Sequence, residues 1–262
     1  MAKASVRIMS YNIRYNNPGD GARAWDYRKE EVAALIQFYA PDLLGLQEVL
    51  HGQLLYLEDQ LTDYGRIGVG RDDGKQAGEY SPVFYRKEQF ELLDHGTFWL
   101  SETPEQPSVG WDASMERIAT WGQFRRKNQN DTIYFLNTHF DHRGERARQE
   151  SARLIRRWVT EHTADHPVAI TGDFNADPQS IPYQVMTKDD YLRDAYVVSR
   201  LPSVGPDRSF SGFAVADTLP GDRIDYVFVN PRAQVNRHAI ISSFRDGYYP
   251  SDHLPVIADV SW

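Results

Sequence analysis

Carboxylate and amide side chains stand at the ends of several short apolar segments of this sequence. Glu48 ends one segment, Asp173 ends a second, and Asp252 precedes a third. An ionised carboxylate that is buried without a partner costs several kcal/mol, so acids at the ends of buried segments are expected to meet around a shared counter-charge. Oxygen ligands of this kind suit a hard divalent cation. The sequence therefore predicts a carboxylate-based metal site.

Each of these residues also has a structural interpretation when it is taken alone. Glu48 could cap the helix that follows it, and Asp173 and Asn175 are common turn residues. Asp225 and His253 could form a structural hydrogen-bonded pair. Polar interruptions of this kind recur at six places along the chain, and the structural interpretation needs a separate coincidence at each of them. The pattern as a whole therefore favours a functional site.

These polar residues must be positioned by alternating strands and helices. Apolar and β-branched patterning predicts strands near 6–15, 43–49, 80–85, 90–100, 117–125, 132–138, 168–172, 224–230, 239–243 and 254–262. Helical spacing predicts a helix that begins at Asp26 and stops before Pro41, and further helices over 53–61 and 144–162. This order predicts an α/β fold with two packed sheets and helices outside. The strand–helix–strand order near residue 10 recurs near residue 135, which indicates two similar halves.

Composition excludes several classes of protein. The 262 residues include no cysteine, which excludes a disulfide scaffold, a thiolate zinc site, an iron–sulfur protein and a cysteine nucleophile. The formal net charge of −8 disfavours a constitutive duplex nucleic-acid binder, although metal-binding carboxylates would also make the chain acidic. No segment approaches the ~20 apolar residues of a membrane span. The start, Met1 to Val6, lacks an apolar signal core, which predicts a cytoplasmic protein as the sequence stands and an exported one if a leader precedes it.

Six short motifs resemble those of the endonuclease/exonuclease/phosphatase, or DNase I-like, superfamily. This superfamily includes abasic-site endonucleases, inositol polyphosphate 5-phosphatases, neutral sphingomyelinases and nocturnin-like deadenylases. The motifs follow the family's order over nearly the whole chain: Ser10-Tyr11-Asn12-Ile13-Arg14, Leu46-Gln47-Glu48-Val49, Asn137-Thr138-His139, Gly172-Asp173-Phe174-Asn175, Ile224-Asp225-Tyr226 and Ser251-Asp252-His253-Leu254-Pro255. The resemblance implies one domain over 1–262, a four-layered α/β sandwich of two mixed six-stranded sheets flanked by helices, with the site at one sheet edge.

The resemblance also implies a metal and a set of roles. The cofactor would be Mg²⁺, with Mn²⁺ as a substitute. Glu48 would be its main ligand, with Asn12 and Asp252 close to the metal. Asp173 would position or deprotonate the attacking water, and Asn175 would donate a hydrogen bond to a phosphoryl oxygen.

Two histidines complete the implied catalytic set. Asp225 would orient His253 and stabilise its charge, and His253 would act either as a base or as a phosphate-binding cation. His139 would add a second imidazole near the phosphate. The neighbouring Asp141 and His142 are interpreted equally well as structural residues and as substrate contacts.

Three further residues would contact the substrate. Arg117 corresponds to a substrate-facing arginine in several branches of the family, and its alternative is a surface ion pair. Tyr80 and Phe213 fall where relatives carry specificity elements, and aromatic rings there could stack on a base or sugar, although phenylalanine is more often a core residue.

The motifs look closest to those of small bacterial members and nocturnin-like deadenylases. They imply a nuclease or nucleotide phosphodiesterase that acts on single-stranded nucleic acid or on a nucleotide, as a monomer without a protein partner. The alternatives are a phosphomonoesterase and a sphingomyelinase-like lipid phosphodiesterase acting on a small headgroup. A noncatalytic binding protein on the same scaffold is disfavoured, because Glu48, Asp173 and His253 are all retained.

Overall fold

The computed structural model describes residues 5–127, 129, 131–216 and 219–262. Within these ranges the chain forms twelve strands: β1 (Val6–Asn12), β2 (Leu43–Gln47), β3 (Tyr64–Ile67), β4 (Val83–Arg86), β5 (Phe90–Trp99), β6 (Ile118–Arg126), β7 (Thr132–His139), β8 (Val168–Asp173), β9 (Arg193–Asp194), β10 (Asp225–Val229), β11 (Gln234–Ile240) and β12 (Val256–Ser261). The α-helices in the same ranges are α1 (Trp25–Tyr39), α2 (His51–Gln60), α3 (Glu145–His162), α4 (Ile181–Thr187) and α5 (Ala195–Val198).

The strands form two six-stranded sheets of matching design. Their orders are β11-β12-β1-β2-β4-β3 and β5-β6-β7-β8-β10-β9. At the centre of the first sheet β1 runs parallel to β2 and is joined to it through α1, and in the second sheet β7 and β8 are related in the same way through α3. The other neighbouring strands pair antiparallel. The two mixed sheets and the two similar halves predicted from the sequence are therefore confirmed.

Successive side chains of each strand point to opposite faces of the sheet, and this divides the apolar core into layers. In β1, Ile8 belongs to the apolar cluster between the sheets, together with Phe135 of β7. The next residue, Met9, lies in the outer cluster with Val32 of α1. The second sheet has its own outer cluster, to which α3 contributes Ile155. Helices thus cover both outer faces, and the molecule has the four layers that the resemblance implies.

The two sheets approach each other closely at Gly45, in the middle of β2. A Cβ atom at this position would lie 2.1 Å from Thr171 Oγ1 and 2.4 Å from Asn137 Oδ1, so a larger residue does not fit. Asn137 Oδ1 accepts a hydrogen bond from Gln47 Nε2 at 2.6 Å, and Asn137 Nδ2 donates to the carbonyl of Leu46 at 2.6 Å. These buried hydrogen bonds fix the two halves relative to each other next to the strand ends.

Several elements differ from those predicted. The short strands β3 and β9 were not predicted, and the strand predicted over 239–243 lies earlier, at Gln234–Ile240. The strand predicted over 80–85 begins at Val83, because Tyr80 instead forms isolated bridges to Val49 and Gly70. Among the described residues, no helix has the length and apolar character needed to cross a membrane.

Candidate active site

The predicted polar residues meet where the central strands of the two sheets end. Asn12 is the last residue of β1, and Asp173 is the last residue of β8. In the second sheet Asp173 pairs with His139 on one side and with Asp225 on the other, so that three titratable residues lie side by side. Asn12 Nδ2 donates to Glu48 Oε1 at 3.0 Å and to Asp173 Oδ2 at 2.9 Å. One amide thus joins residues from both sheets.

Backbone turns with left-handed dihedrals direct two of these side chains. Glu48 follows β2 with φ of 60°, and Asn175 follows β8 with φ of 45°, a region that non-glycine residues seldom adopt. Both conformations are held by hydrogen bonds to carboxylates. The amide of Tyr15 donates to Glu48 Oε2 at 3.1 Å, and the amide of Asn175 donates to Asp173 Oδ1 at 2.9 Å. Such strain is typical of positions where function constrains the backbone.

Three carboxylates at this edge of the sheets could hold a divalent cation. They belong to Glu48, Asp173 and Asp252, and we call them the carboxylate cluster. Glu48, Asp173 and His253 each bring a possible ligand atom within 4.8 Å of the others, and of these three the two carboxylates suit a hard cation. Burial and the neighbouring Asp225 raise the pKa of Asp173 to about 7, and burial and Glu48 raise that of Asp252 against the opposing pull of His253. Burial is the largest cause of both shifts, and the neighbouring carboxylates of Asp225 and Glu48 act in the same direction. The donor set is rich in oxygen, which fits a hard cation of the Mg²⁺ or Mn²⁺ type.

Arg14 supplies a positive charge at the edge of this cluster. Its guanidinium forms an ion pair with Asp20 at 3.0 Å and lies 3.7 Å from Asp252 and 4.0 Å from Glu48. The hydrogen bond to Asp20 and the nearby acids raise the pKa of Arg14 above its ordinary value. Arg14 stands within one of the quoted motifs, but its role was not predicted.

His253 and Asp225 form a buried pair. Asp225 Oδ2 lies 2.9 Å from His253 Nδ1, and both side chains are inaccessible to solvent except for a few per cent of their surface. Nε2 of His253 lies 3.7 Å from Asp173. Burial alone would lower the pKa of His253, but Asp225 and Asp173 outweigh it and raise the pKa well above its usual value. The imidazole is therefore held in its charged form at neutral pH.

His139 is held in the opposite protonation state. Burial lowers its pKa well below the usual value, and Arg117 and Arg71 lower it further. Its Nε2 lies 3.4 Å from Asp173 and 3.2 Å from Asn175 Nδ2. His139 and His253 are therefore held in opposite protonation states beside the same carboxylate, that of Asp173.

Another group of polar residues lies around Arg117. The sequence left Asp141 and His142 open between a structural role and a substrate contact, and it did not predict Arg71 or Glu79. Arg71 and Glu79 face each other across a hairpin, where two hydrogen bonds of 2.8 and 3.1 Å join the guanidinium to the carboxylate. Arg117 Nε donates to Asp141 at 3.3 Å, and its NH2 lies 2.9 Å from His142 Nδ1. We call these residues the arginine wall. Its members are Arg71, Glu79, Arg117, Asp141, His142 and Met115, which lies beside Arg71.

The three residues predicted to contact substrate have different positions. Arg117 lines the cavity, but Tyr80 and Phe213 do not line it. The Tyr80 hydroxyl instead donates to the carbonyl of Lys75 at 3.0 Å, and Phe213 packs beneath Arg28 with its ring 5.7 Å from the guanidinium. Phe210, three residues earlier in the same loop, is the aromatic residue that reaches the cavity, with its ring 5.1 Å from that of His253.

The cavity enclosed by these residues has a volume of about 560 Å³. Its lining includes the carboxylate cluster, the imidazoles of His139 and His253, and all residues of the arginine wall except Asp141. Asn12 and Asp225 lie behind this lining and act on it through Glu48, Asp173 and His253. The site is thus a charged recess at the common edge of the two sheets.

The Endonuclease/Exonuclease/phosphatase family matches residues 9–253, a range that contains every predicted metal and catalytic residue. The chain belongs to this family. Phosphoester hydrolysis is the chemistry of the family, and its enzymes generally depend on a divalent metal. The family and the sandwich fold expected from the six motifs are therefore confirmed.

Similar proteins match this chain over almost its whole length. A family member from Bacteroides vulgatus is 42% identical, with a TM-score of 0.94 and 99% of each chain covered. A mannosyl-6-phosphatase from Bacteroides thetaiotaomicron is 37% identical, with a TM-score of 0.92, 98% of this chain and 100% of that chain covered. Nocturnin from Drosophila melanogaster is 23% identical over 97% of this chain and 46% of its own length, so the chain spans about half of that relative.

Proposed function

We propose that the protein is a divalent-cation-dependent phosphomonoesterase that acts on small phosphate esters. The observation that supports this function is the cavity of about 560 Å³, in which the carboxylate cluster lies opposite the buried Arg71 and Arg117. This volume lies within the range of about 300–1,000 Å³ typical of small-molecule sites. The 37% identity to a mannosyl-6-phosphatase supports the same class of substrate.

The cation would be Mg²⁺ or Mn²⁺, held by Glu48 with Asn12 and Asp252 close by. When bound, it would supply Lewis-acid stabilisation of the charge on the phosphoryl oxygens. The fit of this group rests on the buried oxygen donors and on the raised pKa of Asp252.

Asp173 receives the proton of the attacking water in this proposal. Its two oxygens are held in place by the amide of Asn175 and by Asn12 Nδ2, each at 2.9 Å. A pKa of about 7, set mainly by burial, suits a general base that works near neutral pH. The backbone and side-chain hydrogen bonds keep the carboxylate oriented before substrate enters.

Of the two roles that the resemblance leaves open for His253, we assign the phosphate-binding cation. Because Asp225 keeps the imidazole charged, its Nε2–H can donate to a phosphoryl oxygen and oppose the charge that develops there. Asn175 Nδ2 would donate to a second oxygen. The neutral His139 would complete the polar surface around the phosphate without adding charge.

The proposal is tested with mannose 6-phosphate, p-nitrophenyl phosphate, bis-p-nitrophenyl phosphate and a single-stranded oligonucleotide, each with Mg²⁺ or with EDTA. We expect the two monoesters to give the higher kcat/KM, and EDTA to abolish turnover. Asp173→Asn should lower kcat by about 10²–10⁴-fold. Asp42→Asn is the matched control, because Asp42 accepts a hydrogen bond from the amide of Arg7 at 2.7 Å, at the far end of β1. Preference for a diester or full activity in EDTA would overturn the proposal.

A nuclease or nucleotide phosphodiesterase is the second candidate. It is favoured by the matches to nocturnin from Drosophila melanogaster and to a Ccr4 exoribonuclease subunit from Mycosarcoma maydis, which are 23% and 22% identical. The experiment above separates the two candidates, because a nuclease would release nucleotides from the oligonucleotide faster than phosphate from either monoester.

A further inference from the structure

The arginine wall is held in place before any ligand arrives. Arg71 and Glu79 stand opposite each other in a hairpin, in which the amide of Arg71 donates to the carbonyl of Glu79 at 3.1 Å. The indole of Trp99 also donates to the carbonyl of Arg71 at 2.7 Å. On the other side, Asp141 holds Arg117 and is itself fixed by the hydroxyl of Ser114 and by two backbone amides. Preorganisation of this kind lowers the entropic cost of binding.

Each guanidinium group of the wall lies beside one carboxylate, so the wall offers both hydrogen-bond donors and acceptors. The guanidinium of Arg71 is matched by Glu79, and the guanidinium of Arg117 is matched by Asp141. A binding site for a second phosphate group would need guanidinium groups that are not already paired with carboxylates. A hydroxyl group, in contrast, both donates and accepts, so it can bind between an N–H group and a carboxylate oxygen. The thioether of Met115 beside Arg71 adds an apolar surface for C–H groups.

Two buried polar atoms of the wall, and one of the adjacent His139, lack a hydrogen-bond partner within the described part of the chain. Nine buried side-chain nitrogen or oxygen atoms of the described residues lack a hydrogen-bond partner, and three of them are Arg71 Nε, Arg117 NH1 and His139 Nδ1. Leaving such a group unpaired costs about 1–3 kcal/mol, more when it is charged. A polar ligand that lets these side chains adjust would recover part of this cost.

The wall also lies at a suitable distance from the reacting phosphate. A single imidazole separates them: His139 Nε2 lies 3.4 Å from Asp173, and His139 Nδ1 lies 3.8 Å from Glu79. A group the size of one sugar ring can therefore contact the wall while its phosphate lies beside Asp173.

We propose that Arg71, Glu79 and Arg117 form a polyol subsite, which binds the hydroxyl groups of the leaving group and restricts the substrates to sugar or polyol phosphates. The inference rests on the proposed phosphomonoesterase function and adds to it the chemistry of the leaving group. In this subsite Glu79 accepts hydrogen bonds from hydroxyl groups, and the two guanidinium groups donate to the hydroxyl oxygens.

The subsite is tested by comparing mannose 6-phosphate with p-nitrophenyl phosphate, which carries the same phosphate on a leaving group without hydroxyls. Glu79→Gln should lower the ratio of the two kcat/KM values by about 10- to 100-fold, the range expected for hydrogen bonds to a charged group. Arg71→Lys, which keeps the charge but loses the fork, should lower the ratio in the same direction. Glu58→Gln is the matched control, since it removes a Glu–Arg pair with Arg66 (2.8 Å) outside the cavity, and should leave the ratio unchanged.

Binding provides a measurement that does not depend on turnover. Calorimetric titration of Asp173→Asn with mannose 6-phosphate should give a Kd that rises about tenfold or more when Glu79→Gln is added, whereas the Kd for inorganic phosphate changes less. Thermal melts check that each variant is folded. Unchanged ratios and an unchanged Kd would overturn the subsite even if the monoesters are hydrolysed. If fructose 1,6-bisphosphate gains affinity in Glu79→Gln while mannose 6-phosphate loses none, the wall binds a second anion and the polyol subsite is wrong. Failure of the wild type to hydrolyse any monoester would overturn the proposed function, and the titration would still decide the subsite.

Discussion

Replacement of Asp225 by Asn should lower the pKa of the His253 imidazole and so weaken its hold on the proton. The substitution keeps the size of the side chain and a polar atom facing Nδ1, which lies 2.9 Å from Asp225 Oδ2. It removes the nearest of the negative charges that raise the pKa of His253 against the effect of burial. Without that charge, burial is opposed mainly by Asp173, and the pKa should fall.

The size of the effect follows from the separation of the two groups. Unit charges 2.9 Å apart interact by about 6 kcal/mol at an effective dielectric constant of about 20. One pKa unit corresponds to about 1.4 kcal/mol, so the upper limit of the shift is about four units. A downward shift makes the imidazole lose its charge at a lower pH than in the wild type, so the neutral fraction should be largest at the alkaline end of the assay. We therefore expect kcat to fall by about 10²–10⁴-fold there, the range for loss of a positioned acid–base group.

The assay is kcat on p-nitrophenyl phosphate from pH 6 to pH 9, at saturating Mg²⁺. The ratio of Asp225→Asn to wild type should rise as the pH falls, because acid restores the charge on His253. His253→Ala should show no such rise, and the double variant should be little worse than His253→Ala. Asp42→Asn and thermal melts control for general effects of a lost carboxylate. Losses that multiply in the double variant, or a pH-independent ratio for Asp225→Asn, would refute the reasoning.

Three further predictions concern the metal, the sheet interface and acid stability. Glu48→Gln should lower activity at limiting Mg²⁺ and recover part of it when Mg²⁺ is raised, as measured by a Mg²⁺ titration; recovery that is equal in His253→Ala would contradict the separate roles assigned to the two residues. Gly45→Ala places a Cβ atom 2.1 Å from Thr171 Oγ1, so it should cost about 1–3 kcal/mol or more in urea unfolding, and Thr171→Ala in the same chain should restore part of the loss if the contact is the cause. Burial lowers the pKa of His238 to about 3. The unfolded chain therefore binds this proton more readily than the folded protein does. The contribution of His238 to stability is complete above about pH 6.5 and falls by about 1.4 kcal/mol per pH unit between about pH 6.5 and 3. His238→Asn should remove this slope, and parallel urea-melt curves for the two proteins at pH 4–7 would argue against it.

The residues to which we assign catalytic roles were predictable because of where they stand in the strand pattern. Asp173 directly follows a buried apolar strand, and parallel strands end at the same edge, so the polar residues after β7 and β8 had to lie together. The short strands β3 and β9 gave no comparable signal, since β9 has only two residues. Strand ends therefore carry much of the functional information in this chain.

The arginine wall could not be predicted from sequence periodicity. Arg71 and Glu79 lie in a segment rich in glycine and aspartate, where a charged residue usually faces solvent. Their pairing depends on the path of the hairpin, which no pattern of apolar residues reports. The sequence likewise does not show which of Phe210 and Phe213 contacts the substrate. With φ of 67°, Phe213 turns the loop, and only the folded loop decides which of the two rings reaches the cavity.

The order of the strands has a consequence for synthesis on the ribosome. β1 pairs along one edge with β12, with Val6 opposite Val260, and the other ten strands lie between them in the chain. At about 5–20 residues per second, the nascent β1 waits on the order of 10–50 s for this partner. Its exposed edge is open during that time to pairing with other chains, a hazard that chaperones could relieve. Asp252 and His253 lie between β11 and β12, so the cavity lacks two of its lining residues until the ribosome has passed the first eleven strands.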